Sequence, residues 1–223
     1  MADWPTIASL ATAGGTLVLA VATFSSVRSS NRSARLAEQA LQVGLRPVLF
    51  ASRPDDIDQR LMWGDRHWAN LRAGQAVIEE VDGTIYLAMS LRNVGSGIAV
   101  LRGWRIEVLG ELFSGTTAAD HQRAAFRRPD PEEFRTQGRD LYVPPGDVSF
   151  WQAAIREPGD PSRAGLIEAI ASGQRIGIDL LYADHEGGQR TISRFAVTRP
   201  EDGAPDWLCS VTRHWNLDRQ DPR

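Results

Sequence analysis

The chain has 223 residues and a formal net charge of −3, with 25 basic and 28 acidic residues. This near-neutral balance gives no electrostatic argument for nucleic-acid binding. All the basic residues are arginine, which we attribute to GC-rich coding of the actinobacterial kind, because exposed lysine and arginine serve equally well on a surface. The single cysteine, Cys209, excludes an internal disulfide and fits a reducing compartment.

An uncharged stretch between Asp3 and Arg28 predicts a transmembrane helix, which we assign to residues 1–27. A hydrocarbon core of roughly 30 Å needs about 20 helical residues to cross it. Small residues recur in this stretch at helical spacing and predict a face for close packing of a second helix, in an oligomer or against a partner: Ala8, Ala11, Gly15, Ala22 and Ser26. The alternative is that such spans are simply rich in alanine and glycine.

The residues on either side of the stretch predict whether it is cleaved and how it is oriented in the membrane. Ala20-Val21-Ala22 has the form of a signal-peptidase site, but no arginine or lysine precedes the apolar run, so we expect a retained span. Arg28, Arg32 and Arg35 follow the run directly, which by the positive-inside rule places the amino terminus outside and the remainder in the cytoplasm. We expect these three arginines to contact anionic lipid headgroups.

Residues 28–45 predict a juxtamembrane amphipathic helix that ends near Gly44 and Pro47. Leu36, Ala40 and Val43 form a short apolar stripe on it. The stripe could pair with a neighbouring chain or dock on the following domain, and it is too short to predict a coiled coil.

Beyond Gly44 the hydrophobic period changes from helical to two-fold, which predicts a β domain over residues 46–223. We predict strands at residues 47–52, 77–81, 84–92, 98–109, two within 141–155, 175–182, 189–198 and 207–217. Asp82-Gly83 predicts a two-residue hairpin turn, and residues 164–172 predict a short helix capped by Gly173. The stretches 53–75 and 111–139 are interpreted as insertions.

The alternation of side chains predicts which face of three strands is buried. On the strand at 84–92, one face is predicted to be buried and the other mixed. The residues predicted to face the core are Ile85, Leu87, Met89 and Leu91 on that strand, Val100, Trp104, Ile106 and Val108 on the next, and Trp207, Cys209, Val211, Trp215 and Leu217 on the last. Arg105 and Glu107 are predicted to face outward.

About eight short strands with regular turns and one brief helix predict a mainly β fold, an antiparallel immunoglobulin-like β-sandwich behind a long amino-terminal helix. The strings RNVGSGIA, VPPGDVSFW and LLYADHEGGQRTISRFAV resemble those of bacterial, by composition actinobacterial, single-pass membrane proteins with such a domain at the carboxyl end. The resemblance covers roughly residues 46–217. It implies fold and membrane attachment and no reaction.

The sequence contains no Walker loop, nucleophile elbow or glycine fingerprint. Asp184, His185 and Glu186 fit a hairpin turn better than a cation site, and Cys209 fits a core position better than a nucleophile. The four histidines are scattered without a second ligand at metal spacing: His67, His121, His185 and His214. We therefore predict no catalytic residue, no metal and no cofactor.

Two features of the β domain stand out. Trp63, His67 and Trp68 in the first insertion form a candidate partner surface, suited to a membrane interface or a protein contact, unless they cap an open end of the sandwich. Arg213 falls in the core-facing register of the last strand. Since a buried guanidinium needs a carboxylate, this predicts either a hidden ion pair or an edge strand whose register slips.

These observations favour a membrane-tethered, non-catalytic interaction or assembly module. One alternative is an accessory subunit of a larger membrane complex, docked through the helix, and another is an unrecognised enzyme. The expected partners are membrane lipid and a protein partner or a second copy of the chain, with no nucleic acid and no cofactor.

Overall fold

The computed structural model describes residues 3–109, 127–200 and 206–218. The chain divides into two units, Met1–Gly44 and Leu45–Arg223. The described part of the first unit is one helix, α1 (Trp4–Gly44). The boundary predicted between residues 27 and 28 falls inside this helix, which continues through it without interruption.

The helix predicted at the amino terminus is confirmed, but its transmembrane character is not borne out. Within the residues that the structure describes, no helix combines the length and the apolar character that crossing a membrane requires. Glycines and threonines dilute the apolar residues of α1, and the hydroxyls of Thr12, Thr16 and Thr23 donate hydrogen bonds to carbonyls one turn earlier. The side chains of Ile7, Leu10 and Ala11 lie outside the described residues.

The second unit is mainly β, and every strand pair described in it is antiparallel, as predicted. A short helix, α2 (Arg163–Ser172), ends at Gly173 in the left-handed conformation, as predicted. The strands are β1 (Leu49–Ala51), β2 (Gln59–Met62), β3 (Trp68–Leu71), β4 (Gln75–Val81), β5 (Thr84–Asn93), β6 (Ala99–Val108), β7 (Arg135–Val143), β8 (Val148–Ile155), β9 (Ile176–Ala183), β10 (Thr191–Thr198) and β11 (Trp207–Asn216). Asp82 and Gly83, with φ of 48° and 76°, form the predicted turn between β4 and β5.

Nine strands form one sheet in the order β1-β5-β4-β11-β10-β9-β6-β7, with β8 also paired to β5. Since a strand has only two edges, β1 and β4 share one edge of β5: β1 pairs with residues 91–93 and β4 with residues 84–89. Strand β8 takes the other edge. Among the described strands, β7, β8 and the three-residue β1 each pair with one other strand only.

The core lies on one face of this sheet and is lined by every strand except β2 and β3, together with α2. The prediction for β5 is confirmed, because its four predicted core residues are fully buried there. Tyr86 and Ala88, on the other face of β5, are buried as well. They pack under Leu61, Trp63 and Leu71, which belong to the hairpin β2–β3 and its tip. The insertion at 53–75 is thus an added layer over the sheet.

Two β-bulges correct the predicted register. On β6 the pairing shifts between Leu101 and Gly103, so Trp104 lies in the core while Val100 is buried on the opposite face. On β11 it shifts between Val211 and Arg213, opposite Arg194 and Phe195 of β10. Beyond that bulge Trp215 leaves the core face, and Leu217 lies past the end of the strand.

The second insertion, 111–139, is described only from residue 127. Its end forms a 3-10 turn (Pro131–Glu133) and the first half of β7. The rest of this insertion lies outside the described residues.

Candidate interaction surfaces

The first candidate surface is the apolar segment of α1, which we define as residues 17–27. Leu19 and Phe24 are both 69% exposed, and the neighbouring apolar side chains are similarly open. Contiguous exposed apolar surface of this kind marks a site that lipid or another protein covers. Arg28, Arg32 and Arg35 follow at spacings of four and three residues and are exposed, as a contact with anionic headgroups requires.

The predicted small-residue face is described in part. Ala8, Gly15 and Ala22 are exposed and seven residues apart, so they lie on one side of the helix. A Cβ atom added at Gly15 would meet nothing within 4 Å. Ser26 is exposed as well, and the side chain of Ala11, the remaining predicted member, lies outside the described part of the chain.

The structure separates the three residues predicted as a partner surface in the first insertion. Trp63 is only 3% exposed, and its indole Nε1 donates a hydrogen bond to the carbonyl oxygen of Ala153 at 2.9 Å. It is buried because the hairpin β2–β3 folds back over β5, where its ring meets Tyr86 edge-on. Trp63 therefore does not offer an exposed ring to a partner.

His67 and Trp68 also differ from each other in how much of the ring is exposed to solvent. The His67 ring stacks on Tyr86 with centroids 3.9 Å apart, and its Nε2 lies 2.8 Å from Glu79 Oε1. Trp68 is 50% exposed, with the guanidinium of Arg60 4.6 Å from its ring centroid. Of the three, Trp68 alone presents a large part of its ring to solvent.

Asp65 fixes the tip of this hairpin to the sheet. Its Oδ2 accepts a hydrogen bond from the Tyr86 hydroxyl at 2.7 Å and another from Arg156 Nη2 at 2.9 Å. The hydrogen bond from Tyr86 and the nearby Arg156 lower the pKa of Asp65 to about 2, against the opposing effect of burial. The same hydrogen bond raises the pKa of Tyr86. The tip is therefore tied to both β5 and β8.

A groove of about 710 Å³ opens beside this tip, between β7 and β8. One wall is formed by residues 136–139 and Leu141 of β7, and the other by residues 152–154 of β8 with Arg156. Trp104 contributes to its lining, and the tip residues 62–65 close one side. The two strands meet where Trp151 Nε1 donates to Gln137 Oε1 at 3.2 Å.

The bulge in β11 explains Arg213. It places Arg213 opposite Arg194 of β10, which lies opposite Asp179 of β9, which lies opposite Arg105 of β6. The four side chains thus form one row across four adjacent strands, on the face away from the core. Arg213 and Arg194 both lie over the Trp215 ring, with guanidinium carbons 5.6 and 5.3 Å from its centroid. β11 is an interior strand, paired with both β10 and β4, so the register slips without an exposed edge.

The buried ion pair in this row is made by a residue that the sequence reasoning missed. Arg194, only 4% exposed, binds both carboxylate oxygens of Asp179 at 2.7 and 2.8 Å. Arg105 Nη1 contacts Asp179 and Glu107 at 3.0 and 2.9 Å. Burial lowers the pKa of Arg105, but these two carboxylates raise it above its ordinary value. The detectable signal was Asp179 and Arg194, single opposite charges within apolar runs of neighbouring strands.

The remaining chemistry is sparse. Among the described residues, no group of three His, Cys, Asp or Glu side chains is placed to hold a metal ion. Asp184 Oδ1 accepts the Gly188 N–H at 2.7 Å, which is turn chemistry. Burial raises the pKa of Cys209 to about 12, so its thiol is inert at neutral pH. His121 lies outside the described residues.

No known protein family, curated protein or solved structure matches the chain. The resemblance to single-pass bacterial membrane proteins with an immunoglobulin-like domain therefore stays a prediction.

Proposed function

We propose that this protein is a membrane-tethered, non-catalytic interaction or assembly module, with α1 as the tether and the β domain as the displayed surface. The observation that carries the proposal is the exposed apolar segment 17–27 of α1, followed directly by three exposed arginines. Apolar side chains favour lipid over water, and arginines at the end of such a segment favour anionic headgroups.

The proposal includes an orientation and a fold. The arginines after the apolar segment support a single-pass helix with the amino terminus outside and the β domain in the cytoplasm. The single, buried Cys209 is compatible with a reducing compartment. The antiparallel strands and their shared core support an immunoglobulin-like sandwich as the finer description of the domain.

A second candidate function is an accessory subunit of a larger membrane complex. It is favoured by Ala8, Gly15 and Ala22, which lie exposed on one side of α1. Small residues let two helix backbones approach closely, and close packing is what holds helices together in lipid. The partner would be a helix of another protein or a second copy of α1.

Cysteine labelling in intact cells tests the tether and its orientation. Cys209 is too buried to report on its own compartment, so the background is Cys209→Ala, with Asp3→Cys or Glu186→Cys added singly at exposed positions. We expect an impermeant maleimide to label Asp3→Cys in intact cells and Glu186→Cys only after permeabilisation. Labelling of Glu186→Cys alone reverses the orientation, and recovery of the protein in the soluble fraction contradicts the tether.

A further inference from the structure

The groove between β7 and β8 is bordered by two strands that each have a single strand partner in the nine-stranded sheet. Among the described strands, β8 pairs only with β5, and β7 pairs only with β6, through residues 135–136 and 141–143. Residues 137–140 of β7 bulge out of this ladder and pair with no described strand. Each of the two strands therefore has one edge whose backbone N–H and C=O groups lack a strand partner, and such an edge is a template for pairing with an added chain. The turn at residues 144–147 joins the two strands at one end of the groove.

The wall formed by the hairpin tip is already fixed in place. The carbonyl oxygen of Ala153 accepts the indole N–H of Trp63, and Arg156 binds Asp65. The first contact places the hairpin tip directly beside β8. A ligand entering here meets preformed walls, which reduces the ordering cost of binding.

The side chains along the groove indicate the chemistry of its ligand. Arg139 is exposed on β7, and Arg156 stands on the opposite wall, half exposed beside Asp65. The Oε1 atom of Gln152 is buried and has no hydrogen-bond partner among the described residues, so it can accept a hydrogen bond from a ligand. A Cβ atom at Gly138 would meet nothing within 4 Å, so a backbone can approach β7 closely there.

We propose that this groove binds an extended peptide segment of a partner protein that carries acidic side chains and adds as a strand to the free edge of β7. Backbone hydrogen bonds to the edge supply affinity, and a carboxylate that meets Arg139 supplies specificity, since Arg156 is already paired with Asp65. Trp104 and Leu141 receive the apolar side chains that alternate with the acidic ones. This inference rests on the proposed function as an interaction module, and it does not depend on the tether.

A phage-displayed library of random dodecapeptides, panned against the full-length protein in mild detergent, tests the groove. The matched variants are Gly138→Phe, which fills the groove where the fold leaves open space, and Arg139→Glu, which reverses its charge. Arg175→Glu is the control, because Arg175 is exposed and does not line the groove. Thermal unfolding of each variant first establishes that it folds.

The wild type and Arg175→Glu should enrich the same clones, with alternating β-forming and acidic residues, at least about 10-fold over Gly138→Phe, a difference of about 1.4 kcal/mol in binding. Arg139→Glu should lose the acidic preference. No enrichment by the wild type, equal enrichment by Gly138→Phe, or clones without acidic residues would overturn the inference. The tether is judged separately by the labelling experiment, so either proposal can fail while the other stands.

Discussion

α1 and the β domain treat apolar side chains in opposite ways. Leu19 of α1 is 69% exposed, whereas Leu87 of β5 is fully buried. The β domain covers its own apolar residues on two levels, with a core on one face of the sheet and the hairpin β2–β3 over part of the other. The difference shows that the domain buries its own apolar residues, while the apolar segment of α1 leaves most of its apolar surface exposed.

Removing a large core side chain should break the domain and leave the tether intact. Trp104 packs edge-on against Trp151, with ring centroids 5.5 Å apart. Trp104→Ala should lower the free energy of unfolding of the β domain by about 3–5 kcal/mol, since it deletes a buried aromatic and leaves a cavity. Urea unfolding followed by tryptophan fluorescence measures this.

Trp68→Ala is the matched control, because the Trp68 ring is half exposed. It should change the same free energy by less than about 1 kcal/mol. Near-native stability of Trp104→Ala would show that the register of β6 after its bulge is misassigned.

A second substitution tests whether the buried ion pair contributes to the stability of the β domain. Asp179→Asn removes the charge that Arg194 contacts through two of its nitrogen atoms. The domain should lose about 3 kcal/mol, because the buried guanidinium then loses its ion pair with Asp179, and its contact with Glu107, at 3.4 Å, is longer. Glu186→Gln, at an exposed turn, should leave the thermal midpoint unchanged. An unchanged midpoint in Asp179→Asn would mean that the charged row does not contribute to stability.

The hairpin tip offers a smaller, pH-dependent effect. The pKa of Asp65 is about 2 in the folded domain, below its ordinary value of 3.8. A carboxyl group with a depressed pKa stabilises the fold above its ordinary pKa, and that stabilisation is lost as the pH falls from about 4 to about 2. Asp65→Asn should therefore be less stable than wild type at pH 7, and the two should converge as the pH falls through about 2, as measured by urea unfolding at each pH. A stability difference that does not change with pH would contradict the role of the carboxylate charge.

The smallest expected effect concerns α1 alone. Gly15→Leu should prevent close approach of a second helix while leaving the unfolding of the β domain unchanged. Gly14→Leu is the control, being about 100° around the helix and equally free of neighbours within 4 Å. Crosslinking in membranes should show loss of an oligomer or partner in Gly15→Leu only. Equal crosslinking of both variants would leave the small-residue face without a role.

Local patterns predicted most of the secondary structure. The turn at Asp82-Gly83, the cap at Gly173 and the alternation along β5 each depend on a few adjacent residues, and each is confirmed. Hairpin β2–β3 was missed because its strands are only four residues long and much of their surface is polar. The burial of Trp63 was also missed, because it depends on packing against β5, which is distant in sequence.

The bulges and the groove could not be predicted from the sequence, because both depend on how the strands pair. A single extra residue, such as Thr212, reverses the faces of every residue after it on the strand, and nothing in the alternation of Val211, Arg213 and Trp215 signals it. The groove depends on which strands end the sheet, and strand order is a property of the whole topology. Arg213 was correctly identified as anomalous, although its explanation required the pairing partners.

Flotation of the full-length protein with vesicles of anionic lipid tests the central claim most directly. Leu19→Asp places a charge in the exposed apolar segment of α1, and Ile57→Asp places the same charge at an 80% exposed apolar residue of the β domain. We predict that the wild type and Ile57→Asp float with the vesicles and that Leu19→Asp binds at least about 10-fold less, because a carboxylate is costly in lipid. A wild-type protein that stays at the bottom of the gradient, or a Leu19→Asp variant that floats equally well, would contradict the claim that α1 is a membrane tether.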